Sequence, residues 1–207
     1  YRRQRQMCIR DRHPQVRVRL HDDYGQNIIE RLDNGLADFG VLVQPTDMSR
    51  YDFLPLPTGD PMGLLMRYDH PLATRESIHP KDLADVPVIV PQGVLNRRDL
   101  SGWYKSGNKE LNIVGTMNLL YNASCFVQEG YGCAICLQGL VDTSWESGLV
   151  FQPLDPPMQT HLAIAWKKSQ PPTPAADAFL TELRSVIADI NRDNKESVPS
   201  PRNGAQR

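Results

Sequence analysis

Four cysteines and five histidines have the widest chemical reach in this 207-residue chain, and their spacing decides what they can do. Cys133-Ala134-Ile135-Cys136 has the spacing of a redox pair, but such a pair needs an exposed thiolate at a helix N-terminus. This one follows Gly132 in an apolar run, where cysteines act as small buried hydrophobes. His13, His21, His70, His79 and His161 are scattered, with no two at i and i+4 on a predicted helix, so they offer no metal scaffold. His70, just before Pro71 at a strand exit, reads as a hydrogen-bonded turn residue. Asp22, Asp23 and the scattered serines supply acids and hydroxyls without the base and orienting partner that catalysis requires. No Gly-x-Gly-x-x-Gly follows a strand, and neither a phosphate loop nor Gly-x-Ser-x-Gly is present. The expectation is a protein that is not an enzyme and needs no metal or cofactor.

The charge balance narrows the field further. Lys and Arg total 23 against 24 Asp and Glu, for a net charge of -1, so no global positive field exists to hold a polyanion. The longest apolar runs, Val86–Val90 and Leu119–Val127, fall far short of the roughly eighteen residues of a membrane helix. No apolar segment precedes a small-residue cleavage site, and four cysteines in a chain this long do not make a disulfide scaffold. A cytoplasmic location with reduced thiols is expected. Residues 1–12 stand apart, with Arg2, Arg3, Arg5, Arg10 and Arg12 against one acid, Asp11. That composition suits an unrelated or artefactual extension, a disordered arm, or an element that grips phosphate.

The elements that must position any site follow from periodicity. Val16, Val18 and Leu20 alternate with Arg17 and Arg19, predicting a strand at a sheet edge. Gln26–Asn34 predicts a helix with Ile28, Ile29 and Leu32 on one stripe, stopped by Gly35. Asp38–Val43 reads as a parallel strand covered on both sides. Further buried strands are expected at Gly63–Met66, Val86–Val90, Leu111–Val114, Cys133–Leu137, Gly148–Leu154 and Thr160–Trp166. A helix capped by Thr116 or Asn118 and running to Glu129 is apolar on most of its surface, which predicts a layer on either side of it. Ala175–Ile190 is a final amphipathic helix, and the polar tail 191–207 is expected to be disordered.

Several of these segments, taken in order, carry a family likeness. Ile28-Ile29-Glu30-Arg31-Leu32-Asp33-Asn34-Gly35-Leu36-Ala37-Asp38-Phe39-Gly40-Val41 resembles the helix, turn and strand near the start of the effector-sensing domain of LysR-type transcriptional regulators. The likeness continues through Leu64-Leu65-Met66, Asp69-His70-Pro71-Leu72-Ala73 and Asp82-Leu83-Ala84-Asp85-Val86-Pro87-Val88-Ile89. It resumes at Val127-Gln128-Glu129-Gly130-Tyr131-Gly132-Cys133-Ala134-Ile135, at Gly148-Leu149-Val150 and in the Ala175–Leu183 helix.

The resemblance implies an α/β fold of two subdomains, like that of type 2 periplasmic binding proteins, here incomplete at the N-terminus. Residues 13–75 and 155–190 would form subdomain I and residues 76–154 subdomain II, with crossings near Leu72–Ile78 and Leu154–His161. The family's helix-turn-helix, its linker helix and a first central strand have no counterpart in residues 1–12. DNA binding is therefore expected of a parent protein, and the missing strand predicts a marginally stable fragment.

In such a fold the cleft lies beyond the carboxyl ends of the parallel strands. Position then singles out Gln44 and Thr46 in subdomain I, with Gln92, Gly93, Thr116 and Asn118 in subdomain II. Their amides and hydroxyls can hold a polar or anionic small molecule without burying like charges. Each also has a plain structural role, as a turn residue or helix cap. Trp103, Tyr104 and the flanking Arg97, Arg98 and Lys105 either cover the cleft, where arginine can clamp a carboxylate, or stand on a solvated loop. The resemblance further implies a homodimer or tetramer, with Val16–Leu20 and the Ile28 helix as the contact surface. A solute-binding protein for transport shares the fold and is the alternative.

Overall fold

The computed structural model describes residues 12–92, 102–104 and 110–196, and its organising element is one long strand. Strand β2, Tyr51–Arg67, runs for 17 residues and changes partners partway. From Tyr51 to Pro61 it pairs antiparallel with β7 (Gln159–Lys167), with a register shift between Pro55 and Gly59. From Met62 onward it lies between two antiparallel neighbours, β5 (Cys133–Leu137) and β6 (Leu149–Pro153).

Composition explains the division. Pro55, Pro57 and Pro61 lack an N–H and are tolerated where β2 is paired on one side only, whereas Leu64, Leu65 and Met66 are fully buried. A Cβ at Gly63 would stand 2.2 Å from Phe151 Cζ and 2.4 Å from the Gln152 carbonyl oxygen. Only glycine lets β6 approach here.

Beyond β5 the ladder turns parallel, to β3 (Val88–Pro91) and then β4 (Ile113–Met117). At the other end β1 (Gly40–Val43) pairs antiparallel with β7, which gives the order β1-β7-β2-β5-β3-β4 with β6 also on β2. Helices α1 (Gly25–Asp33), α2 (Leu120–Gln128) and α3 (Pro174–Glu196) accompany these strands. Helix α1 stops as expected: Gly35 adopts φ +66°, and the Leu36 N–H returns to the Arg31 carbonyl at 2.8 Å.

Among the described residues the core has three parts. Leu64, Met66, Val88, Val90 and Ile135 pack with Ile78 and Leu154 on one face of the second set of strands. Leu65, Ile89 and Ala134 pack with Leu120, Ala123 and Val127 of α2 on the other. The third cluster is smaller, joining Leu32 of α1 to Leu42, Tyr51 and Ala165. Two connections meet at an Ile78–Leu154 bridge, where the Ile78 N–H donates to Pro153 O and the Asp155 N–H to Ile78 O, each at 2.8 Å.

Several expectations need correction. Val16–Leu20 forms no strand: it has no ladder partner, and Val18 and Leu20 are 66% and 86% exposed. Alternation alone does not make a strand when no neighbouring backbone accepts its hydrogen bonds. Strand β1 is antiparallel rather than parallel, and Val41 is exposed, so only one of its faces is covered. Helix α2 begins after Leu119 without a side-chain cap, because Thr116 belongs to β4 and Asn118 to the bend that follows. Its outer face, with Tyr121 and Phe126, lies in solvent, so no second layer covers it. Helix α3 continues through Glu196, since nothing in Arg192–Glu196 breaks a helix. Residues 1–11 and 197–207 lie outside the described residues, while Arg12 pairs with Glu182 of α3.

Candidate functional site

The residues singled out from the sequence fall into two groups at strand ends. Gln44 and Thr46 follow β1. The Gln44 N–H donates to His161 O at 2.8 Å, which continues the β1–β7 ladder by one residue. The Thr46 hydroxyl donates to Val43 O at 2.6 Å, and the Thr46 N–H donates to Gln44 Oε1 at 3.3 Å. Both side chains thus brace their own turn. With its proton committed to Val43, the Thr46 hydroxyl meets any incoming group as an acceptor.

The second group follows β3 and β4. The register opposes Val90 to Thr116 and Pro91 to Met117, and the Gln92 N–H donates to Met117 O at 2.8 Å. This ladder brings Gln92, Thr116 and Asn118 together as exposed side chains, two of them two residues apart along one strand direction. Gly93 lies outside the described residues. Strands β1 and β4 stand at the two extremes of the strand order, so no single ladder unites the groups.

Two neighbours escaped the sequence reading. His161 lies beside Gln44 across the β1–β7 ladder and opposite Gly59 across β2–β7. A Cβ on Gly59 would meet the His161 ring at 3.2 Å and Gln159 Oε1 at 3.3 Å. Laterally paired residues share a sheet face, so Gln44, His161 and Gln159 form a polar row extending the first group. The available signal was Gly59 itself, since a glycine inside a strand marks a close approach.

Other candidates resolve differently. Trp103 and Tyr104 neither cover a cleft nor stand on a solvated loop. Both are buried among Ile78, Leu83, Val88 and Leu154, because their large apolar rings find core volume there and their polar tips find carbonyls. The Trp103 indole N–H donates to Pro156 O at 2.9 Å, and the Tyr104 hydroxyl to Glu110 O at 3.0 Å. Arg97, Arg98 and Lys105 lie outside the described residues.

Cys133 and Cys136 are buried on opposite faces of β5, one in each large cluster. Burial pushes their thiols up to about 11 and about 12, respectively. A three-residue step along a strand reverses the side-chain direction, so this spacing cannot form a redox pair here. His70 is a turn residue, its Nδ1 accepting the Leu72 N–H at 3.2 Å, and burial lowers its pKa. Among the described residues no cluster of His, Cys, Asp and Glu could hold a metal ion. A cavity of about 470 Å³ opens elsewhere, between α3 and the start of β2, lined by Phe53, Trp166, Lys168, Asp177 and Arg184. It includes none of the singled-out residues.

Comparisons with known proteins agree with this architecture. The family model described as "LysR substrate binding domain" matches residues 9–188. The HTH-type transcriptional regulator YvbU of Bacillus subtilis is 26% identical over 180 residues, covering 86% of this chain. The chain spans 60% of that relative's length. Among solved structures, the CcmR regulatory domain of Synechocystis PCC6803 in complex with 2-PG superposes with a TM-score of 0.76 at 19% identity, covering 91% of each chain. The effector binding domain of QuiR in complex with shikimate also gives 0.76, at 18% identity and 90% coverage of each. The α/β fold is thus that of the type 2 periplasmic-binding kind, and the chain belongs to the LysR substrate binding domain family.

Proposed function

We propose that this chain is the effector-sensing part of a LysR-type transcription regulator acting in the cytoplasm. It binds a small organic acid between two lobes. Residues 13–75 with 155–190 form one lobe and residues 76–154 the other, while β2 pairs with strands of both. Closure about β2 and the Ile78–Leu154 bridge brings the Gln44–Thr46 end toward the Gln92–Thr116–Asn118 end. The observation that carries this reading is the position of both polar groups just past the ends of β1, β3 and β4, where ligands bind in open α/β sheets. Shikimate, a carboxylate, occupies the related QuiR domain, and amides and hydroxyls without like charges suit such an anion.

Ligand shifts the population of lobe arrangements, and a helix-turn-helix of the longer protein carries the change to DNA. The HTH-type naming of YvbU favours regulation over solute transport. Homodimers or tetramers form through Val16–Leu20 and α1. That segment is not a strand, but Val18 and Leu20 are free to be covered. The test is calorimetric titration of the chain with a carboxylate panel that includes shikimate. Binding by at least one acid, weakened about tenfold or more by both Gln44→Ala and Gln92→Ala, is expected. Binding untouched by either substitution places the site elsewhere.

A further inference from the structure

The cavity of about 470 Å³ between α3 and the start of β2 has walls set by two periodicities. Tyr51 and Ala165 belong to the cluster shared with α1. The residues that follow them, Asp52 and Trp166, oppose each other across the β2–β7 ladder and therefore point to the other sheet face, where α3 lies. Asp177, Leu180 and Arg184 stand at i, i+3 and i+7 and share one face of α3, the face that lines the cavity. Its volume falls within the roughly 300–1,000 Å³ of small-molecule sites.

The charges around this space cancel without pairing. Lys168 and Arg184 line it together with Asp52 and Asp177. Among the described residues, Asp52, Asp177 and Arg184 have neither an ion pair nor a side-chain hydrogen bond. The Arg184 guanidinium carbon lies 6.0 Å from the centre of the Trp166 ring, which engages the face of the guanidinium and leaves its N–H donors unspent. Lys168 Nζ donates one proton to Ser49 O at 3.1 Å. Leu180, 3% exposed, gives the cavity an apolar wall beside Trp166. A ligand of one sign would satisfy half of these groups and meet repulsion from the rest, whereas a ligand carrying both signs satisfies both.

The open edge of β2 argues against a peptide strand as the occupant. The Lys168 N–H donates to Arg50 O at 3.2 Å, so Asp52 and Leu54 turn their backbone groups toward β7, while Tyr51, Phe53 and Pro55 turn theirs outward. Pro55 has no N–H, and the Tyr51 N–H is already given to Met48 O at 3.0 Å. A strand added along these three residues would find one free N–H, at Phe53.

We propose that this cavity is a second ligand site and that it takes a small zwitterion, a free amino acid with an apolar side chain. The carboxylate meets Arg184, the ammonium meets Asp177 and Asp52, and the side chain lies against Leu180 and Trp166. None of the strand-end residues lines this cavity, so the site does not depend on the effector reading.

The test is titration of the full chain with L-phenylalanine, L-leucine and L-methionine, followed through the NMR signals of the Trp166 indole and the Asp177 amide. At least one amino acid should shift both signals saturably. 3-Phenylpropionate, which lacks the ammonium, and phenethylamine, which lacks the carboxylate, should bind at least tenfold more weakly than L-phenylalanine. Arg184 and Asp177 are exposed, so Arg184→Gln and Asp177→Asn leave the core intact, and each should weaken binding at least fivefold. Gln44→Ala should leave it unchanged, which separates this site from the strand-end one. A lack of saturable shifts with all three amino acids, equal binding of 3-phenylpropionate, or binding that ignores both cavity substitutions overturns the proposal. Loss of binding in Gln44→Ala overturns it as well, by moving the amino acid to the strand ends.

Discussion

The two halves of β2 live in different environments. From Met62 onward the strand is flanked on both sides and covered above and below by the two large clusters, so Leu64, Leu65 and Met66 see no solvent. From Tyr51 to Pro61 it has one neighbour, three prolines and a register shift, and the small cluster around Leu32, Leu42, Tyr51 and Ala165 packs that region against α1. Polar contacts supplement this thin core. The Tyr51 hydroxyl donates to Asp33 Oδ1 at 2.5 Å, Arg50 pairs with Asp33 Oδ2 at 2.8 Å, and Lys167 Nζ donates to Asp33 O at 2.7 Å. One strand can thus belong to a well-buried sheet and to an open one, and stability should be distributed unevenly between them.

The largest separation should come from core truncation. Leu64→Ala removes a fully buried side chain from the larger cluster and is expected to cost about 3–5 kcal/mol. Leu42→Ala, beside an open strand edge where the site can collapse, should cost about 2 kcal/mol. Urea denaturation of the two variants compares them directly, and equal losses would erase the distinction.

Thiol labelling sharpens the same contrast without mutation. Thiols pushed up to about 11 and 12 hold on the order of one part in a thousand or less as thiolate at pH 8. Exposed Cys125 should therefore react with a disulfide reagent on the order of a hundredfold faster than Cys133 or Cys136. Mass-spectrometric mapping of the labelled sites measures this, and early labelling of Cys133 or Cys136 would show that the β5 region opens readily.

The smallest effect should come from Tyr51→Phe. Losing one hydrogen bond in a chain of this size should lower Tm by about 2–4 °C near neutral pH. The Tyr51 hydroxyl, followed by Arg50 against some opposing burial, holds the Asp33 carboxyl below its ordinary value. A carboxylate depressed in the folded state adds stability above its unfolded pKa and loses it as pH falls through the folded one. Tyr51→Phe should therefore flatten the fall of Tm below about pH 4. An unchanged acid slope would assign no share of that slope to the Tyr51–Asp33 bond.

Legibility in the sequence followed the range of the interaction. The stripe Ile28, Ile29 and Leu32 with Gly35 marked α1 and its stop, and the run Cys133–Leu137 matched β5 at both ends. The first eleven residues of β2 were not legible, because Pro55, Pro57, Gly59 and Pro61 read locally as breakers. A partner strand about a hundred residues away overrides that signal. Strand-end position singled out Gln44, Thr46, Gln92, Thr116 and Asn118 as candidates but passed over His161, whose place beside Gln44 depends on ladders to β1 and to Gly59. Trp103 and Tyr104 were misplaced because a short aromatic pair carries no periodicity to distinguish core from rim.

By itself, then, the sequence determined what depends on neighbours within a turn or two: helix stripes, a left-handed stop at Gly35, buried runs, a near-neutral charge balance, and the ordered segments of a LysR-type domain. Only the tertiary structure decided which way β1 runs, that Val16–Leu20 goes unpaired, that Cys133 and Cys136 face opposite clusters, and that Asp52 lies opposite Trp166. Hydrogen-bond ladders and buried clusters join residues distant along the chain, and local patterning carries no record of the partner.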